Sequence, residues 1–234
     1  MDLVYTFRYD RRSWNNQLIY SLRSAEKHLK GIDKVYVIGF TPKLRNLIHI
    51  EHTDIFSPAK NILKKLLRMA DTKELSKDFI YMADDHFLTE DVEAASYPYY
   101  SNGLLSELLE TQKNGYRMII KNTIKGLPPG KPARNYNIHC PIVYNKDRIK
   151  ELAAAYGNFN EPLGYLAKSL YCNHFDLYQG KELKDCKIRQ NFNLEDIDRR
   201  VDGRGVFSTG KENECPNIMT FLKLKFPDKS SFEN

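Results

Sequence analysis

The chain has 234 residues, enough for one sizeable core, and one large α/β domain fits that length better than two small ones. Hydrophobic residues make up 41% and aromatics 12%, with 15 tyrosines, which excludes a disordered chain. The 36 basic against 30 acidic residues give a formal charge of +6, which favours a polyanionic partner without choosing among nucleic acid, an anionic membrane surface and a phosphorylated ligand.

The first ninety residues alternate strand and helix signals. "LVYTF" at 3–7 is a β-rich run, and it follows the amino terminus without a charged leader or apolar signal core. No apolar run approaches a membrane span, so the expected location is the cytoplasm. "NNQLIYSLRSAEKHL" spaces Leu18, Leu22 and Leu29 as a helix would, with Asn15 or Asn16 as its cap. "KVYVIGF" at 34–40 reads as a buried strand and "LIHIEH" at 47–52 as another. "AKNILKKLLRMADTKEL" reads as an amphipathic helix with its lysines on the wet face, and "FIYMA" as the next strand. Strands separated by helices imply a mainly parallel sheet joined by right-handed crossovers.

That last strand runs into Asp84, Asp85 and His86. Ligands of such sheets sit beyond the carboxyl ends of the strands. Two carboxylates held side by side there raise each other's pKa unless a cation or hydrogen-bond donors compensate. Mg²⁺ or Mn²⁺ is the usual remedy, taking one or two carboxylates and completing its shell with ligand phosphates. The plainer alternative is an acidic turn or helix cap, and the apolar approach with a histidine directly after shifts the balance toward a site.

Beyond residue 90 the pattern loosens. "EAASYPYYSNG" is loop-like, "LLSELLETQKNGY" predicts a helix ending at Asn-Gly, and "RMIIKNTI" predicts a strand. "KGLPPGKPARNYN" is a basic loop carrying Lys125, Lys131 and Arg134, suited either to closing over phosphates or to plain solvation. "IHCPIVYN" contains a strand, and "DRIKELAAAYG" and "EPLGYLAKSLYCNHF" read as helices. The tail "IMTFLKLKFPDKSSFEN" holds a strand or short helix and then a polar end. Cys140, Cys172, Cys186 and Cys215 form no CxxC pair, so reduced thiols are expected, and Cys172 with His174 lacks a second pair for zinc.

"DLVYTF", "NNQLIYSLRSAEKHLKGIDKVYVIG", "HTDIF" and "ELSKDFIYMADDHFL" resemble, in order and spacing, the successive conserved regions of the Stealth sugar-phosphotransferase family. "IHCPIVYNKDRIKEL" is similar to that family's later histidine-containing region, and "FPDKSSFE" looks like the ends of small glycosyltransferase-like proteins of phages. The chain departs from the Stealth pattern at Ala83, where members tend to carry Asn, and in an Asn-Ser segment reduced to Asn61. The resemblance implies a GT-A-like (Rossmann-like) single α/β domain, with residues 1–95 as the nucleotide-sugar-binding half and 96–234 as the acceptor-side half. It implies a metal-dependent glycosyltransferase using a nucleoside-diphosphate sugar, UDP-linked by preference, and a host-cytoplasmic location if the chain is phage-encoded. The departures weigh against its alternative, a hexose-1-phosphate transfer to a glycan.

On that reading Asp84 and Asp85 hold Mn²⁺ or Mg²⁺ on the donor diphosphate, and His139 completes the shell, as a histidine from the later half often does in this fold. His86 is a second candidate ligand or a mere neighbour making a backbone hydrogen bond. Thr6 and Arg8 at the end of the first strand, Arg23 on the first helix and Asp84 are candidate donor contacts, a guanidinium fork being suited to phosphate. An inverting enzyme also needs a base for the acceptor hydroxyl, for which Glu161 and Asp176 are candidates beside Asp85. The excess positive charge, the basic loop and "DRRVDGRGVF" suit DNA carrying a hydroxymethylated base, with a glycan as the competing acceptor. A non-enzymatic nucleic-acid-binding α/β domain and a metal-dependent nuclease or phosphatase are the readings from other classes.

Overall fold

The computed structural model describes residues 1–8, 16–40, 42–210 and 215–234. In chain order the elements are β1 (Asp2–Phe7), α1 (Asn16–His28), β2 (Leu29–Lys30), β3 (Val35–Gly39), β4 (Ile48–Glu51), α2 (Pro58–Asp71), β5 (Asp78–Ala83), β6 (His86–Leu88) and β7 (Val92–Glu93). Then follow α3 (Leu105–Thr111), α4 (Asn114–Gly126), β8 (Ile142–Asn145), α5 (Lys146–Ala155), α6 (Ala167–His174), β9 (Lys187–Ile188), α7 (Leu194–Val201), β10 (Val206–Thr209) and α8 (Pro216–Lys225).

Among the described residues the central sheet has the order β4-β3-β1-β5-β8, parallel except for β8, which runs antiparallel to β5. Alternation along the strands feeds two apolar layers. Val4, Phe79 and Tyr81 join the side chains of α2, α5 and α6 on one face, while Leu3, Tyr5, Ile80 and Met82 meet Leu18 and Leu22 of α1 on the other. This gives helices on both faces of a mainly parallel sheet. β8 comes from the second half of the chain and closes the edge of the first half's sheet, so packing does not divide at residue 95.

A second sheet, β6-β10-β9, begins directly after the acidic turn and carries its own core with α7 and α8 around Phe87, Phe207, Ile218 and Phe221. The carboxyl-terminal tail returns to α1. Arg23 binds both Glu233 carboxylate oxygens at 2.7 and 2.6 Å and donates to the carbonyls of Phe226 and Pro227. Glu26 accepts the Ser231 backbone N–H.

The structure corrects several expectations. "RMIIKNTI" lies within α4 instead of forming a strand, and the Asn-Gly pair at 114–115 opens that helix instead of closing the one before. Ile120 and Thr123, three apart, are its inward face. In "EPLGYLAKSLYCNHF" only Ala167–His174 is helical, and the tail segment is helix α8. Asn16 starts α1, while Asn15 lies outside the described residues. Not all lysines of α2 face water, since Lys65 is buried. Cys172 is core, and His174 contacts the Tyr156 hydroxyl at 3.2 Å. No described helix is long and apolar enough to cross a membrane.

Gly39 ends β3 at φ 115°, and the Phe7 carbonyl accepts the Phe40 N–H there at 3.1 Å. A Cβ at this position would lie 2.2 Å from that oxygen. Gly39→Ala is therefore expected to cost about 3 kcal/mol in urea denaturation, whereas Gly115→Ala, with nothing within 4 Å of its Cβ position, should leave the midpoint nearly unchanged.

Candidate active site

β3 lies on one side of β1 and β5 on the other, so the strand order reverses between β1 and β5. That is the topological switch point, where open α/β sheets leave a crevice at their carboxyl ends. Register sets Thr6 beside Ala83, and the next two residues of β5's exit are Asp84 and Asp85. The turn is closed from within. His86 Nδ1 accepts the Ala83 N–H at 3.3 Å, Ser21 Oγ donates to the His86 carbonyl at 2.5 Å, and the Asp85 carbonyl accepts the Thr209 N–H at 3.3 Å. α1 is joined to β10 as well, through Gln17 Nε2 bonded to Thr209 Oγ1 and the Gly210 carbonyl at 2.8 and 2.7 Å.

The charges around this turn oppose one another. Burial, and then the adjacent Asp85 carboxylate, push the Asp84 carboxyl up to about 7, against the weaker pull of Lys187 and Lys65. Asp85 is paired with Lys187 at 2.8 Å. His86 is held well below its ordinary value by burial and then by Lys168, His139 and Lys187, so its ring is neutral. With Nδ1 taken by the backbone and Nε2 at 3.8 Å from Asp85 Oδ1, His86 braces the turn instead of presenting a lone pair. His139 sits at 6.3 Å from His86, ring centre to ring centre. Its Nδ1 is 2.8 Å from Asp185 Oδ2, and its backbone N–H donates to Asp185 Oδ1 at 3.0 Å. Burial raises Asp185, but these hydrogen bonds and Lys187 outweigh it and leave that carboxyl below its ordinary value.

Three lysines sit around the turn. Lys65 is paired with both oxygens of Asp54 at 2.9 and 3.0 Å, Lys168 donates to the carbonyls of Ile138 and Cys140 at 2.8 and 2.5 Å, and Lys187 holds Asp85. Sequence reasoning named none of them. A lysine in "LKKLL" or "DCKIRQ" reads as solvated, and only the flanking buried positions hint otherwise.

Two cavities are lined by residues of these same strands, though neither by residues 83–86. One, of about 640 Å³, opens over the ends of β1, β3 and β4 and is lined by Arg8, Phe40, His49, His52 and Asp54. His52 Nε2 is buried there without a hydrogen-bond partner among the described residues. The other, of about 320 Å³, is apolar and lined by Tyr81, Tyr116, Tyr144, Tyr165, Asn137 and Lys168. Tyr81 links it to the turn, its hydroxyl lying 3.0 Å from Thr6 Oγ1.

Thr6, Arg8, Asp84, Asp85 and His139 thus gather at or beside the crevice. Arg23 does not, because Glu233 and two carbonyls occupy its guanidinium. Glu161 accepts from Asn122 Nδ2 at 3.1 Å, and burial first and then Glu161 push the Tyr165 hydroxyl up. Asp176 lies beyond α6, paired with Lys131 at 2.5 Å in a separate cavity. Arg134 stacks on Tyr178 and reaches Glu182 at 3.8 Å, so the basic loop presents less free charge than its composition implies.

The galactosyltransferase LgtC, solved with donor and acceptor sugar analogues, superposes on this chain with a TM-score of 0.52 at 12% identity, covering 99% of this chain and 98% of that one. An active-site mutant of LgtC gives the same values. The fold is that of the GT-A glycosyltransferases. No family model and no curated protein matches the sequence.

Enzymes of that fold typically use a divalent metal, and the donor set here fits one. Burial and Asp85 push the Asp84 carboxyl up, which a bound cation would relieve, and His139 is oriented by Asp185 as metal-bound imidazoles commonly are. Among the described residues no three His, Cys, Asp or Glu side chains already converge as a cage, and Asp85 is paired with Lys187.

The raised Asp84 carboxyl has a signed consequence for stability. Below about pH 4 both folded and unfolded states are protonated there; between about 4 and 7 the unfolded chain ionises first and stability falls as pH rises; above 7 the penalty is constant. Asp84→Asn should accordingly melt higher than the parent at pH 8 and at nearly the same temperature at pH 4, measured without metal.

Proposed function

We propose that the chain is a nucleotide-sugar-dependent glycosyltransferase whose donor lies across the carboxyl ends of β1, β3 and β5. The observation that carries this reading is the pair of carboxylates, Asp84 and Asp85, at the switch point of a GT-A sheet. Asp84, Asp85 and His139 would hold the divalent ion, Mn²⁺ or Mg²⁺. When bound, that ion supplies Lewis-acid neutralisation of the charge developing on the departing diphosphate.

The chain's own residues divide the remaining work. The nucleoside occupies the cavity lined by Phe40, His49 and His52, with the exposed Phe40 ring as a stacking face and Arg8 toward the phosphates. Thr6, tied to Tyr81, borders the donor from β1. The tyrosine-lined cavity on the other side of Tyr81 takes the acceptor, whose planar or apolar face suits such a lining better than an array of hydroxyls, each costly to bury without a partner. Glu161, near Tyr165, is the candidate base retained on that side, and Asp176 is set aside.

The Stealth-like blocks favour a second reading, because Asp84 and Asp85 within them stand at this crevice. The two chemistries break different bonds. Glycosyl transfer cleaves the bond from the sugar's anomeric carbon and releases the nucleoside diphosphate; hexose-phosphate transfer cleaves the diphosphate and releases the monophosphate.

A thermal-shift screen of UDP-, GDP-, ADP- and CMP-sugars with and without Mn²⁺ tests the proposal. One of them should raise the melting temperature only with metal, and Asp85→Ala should remove that gain. Stabilisation by none would return the acidic pair to a structural turn. With an active donor, Asp85→Asn is expected to lower turnover by about 10²–10³-fold, and chromatography of the released nucleotide should find the diphosphate.

A further inference from the structure

The lysines around the acidic turn differ in what they could release. Lys65 is held by both oxygens of Asp54, with 5% of its side chain exposed, and Lys168 is buried against two backbone carbonyls that cannot move away. Lys187 has a different partner. Its side chain is 14% exposed, and its ammonium rests on Asp85 Oδ2 at 2.8 Å, the carboxylate that the donor reading assigns to a divalent ion.

The backbone beneath Lys187 is pinned while its side chain is not. β9 pairs with β10 through Ser208 and Thr209, and β10 pairs with β6 through Ser208 opposite His86, so a row across the small sheet sets Lys187 over the turn. Among the described residues its ammonium donates a single hydrogen bond, to Asp85. A lysine on four methylenes can redirect its charge by several ångströms without disturbing a strand.

We propose that Lys187 is an exchangeable counter-ion: paired with Asp85 in the free protein, it turns to the donor's diphosphate when Asp85 turns to a divalent cation. The inference rests on the donor-site reading and extends it by naming a residue that binds the leaving group. It also makes metal and nucleotide binding mutually dependent, since each vacates the place the other's partner needs.

Calorimetry with Mn²⁺ alone, and then with UDP and GDP at saturating Mn²⁺, tests this on the full chain. Lys187→Met removes the internal competitor and the phosphate contact together. It should tighten Mn²⁺ roughly tenfold and weaken the nucleoside diphosphate about tenfold or more. Lys187→Arg grips the carboxylate with a fork, so it should weaken Mn²⁺ relative to the parent; the tightening in Lys187→Met is the sign that a merely destabilised chain would not produce. If Lys187→Met does not fold, Lys187→Gln takes its place with the same expected tightening. Unchanged Mn²⁺ affinity in the variants, or unchanged nucleotide affinity in Lys187→Met, overturns the exchange and leaves the donor site standing. A parent chain that binds neither Mn²⁺ nor either nucleotide overturns the donor site and this inference with it.

Discussion

Two carboxylates in adjacent positions of one turn repel each other, and much of the structure around residues 84 and 85 serves to hold them there. The turn is bolted to β5 through the Ala83 N–H on His86, to α1 through Ser21 and to β10 through Thr209. Even so, Asp84 remains pushed up by burial and by its neighbour. A purely structural turn has cheaper solutions, since an asparagine would make similar hydrogen bonds without the repulsion. Retained charge of this kind at the carboxyl edge of a parallel sheet is what a cation-dependent ligand site requires.

The compensating positive charge is internal. Lys65, Lys168 and Lys187 surround the turn from three separate elements, whereas the cations of the Pro/Gly loop are drawn toward Asp176, Glu182 and Tyr178. A long-range clamp supports the same region from behind. Arg23 and Glu233, 210 residues apart, fix the tail on α1, and α1 in turn supplies Ser21 and Gln17 to the site. The arginine expected to meet phosphate thus acts one layer further out.

What the sequence makes legible follows from range. β1, β3 and β5 are apolar runs buried on both faces, and their helices carry clear periodicity, so the parallel sheet and the position of Asp84 and Asp85 at its edge are readable. The second sheet is not. Its strands are two to four residues long, β6 finds β10 only across more than a hundred residues, and none has a local pattern to detect. Lys187 is hidden for the same reason, since a lysine in a polar stretch shows its partner only after β9 and β10 pair. α4 misleads because "RMIIKNTI" is rich in β-favouring residues while its burial is helical.

The central claim is that the donor's diphosphate and its cation meet at the end of β5. Amide resonances of isotope-labelled protein, recorded while Mn²⁺ is added in the presence of UDP, report directly on that position, because paramagnetic broadening falls steeply with distance. The account predicts that Ala83, Asp84, Asp85 and His86 broaden first, with Thr6 and His139 close behind. Broadening confined to exposed carboxylates elsewhere, such as Asp147 or Asp198, with the signals of residues 83–86 left sharp, would contradict it.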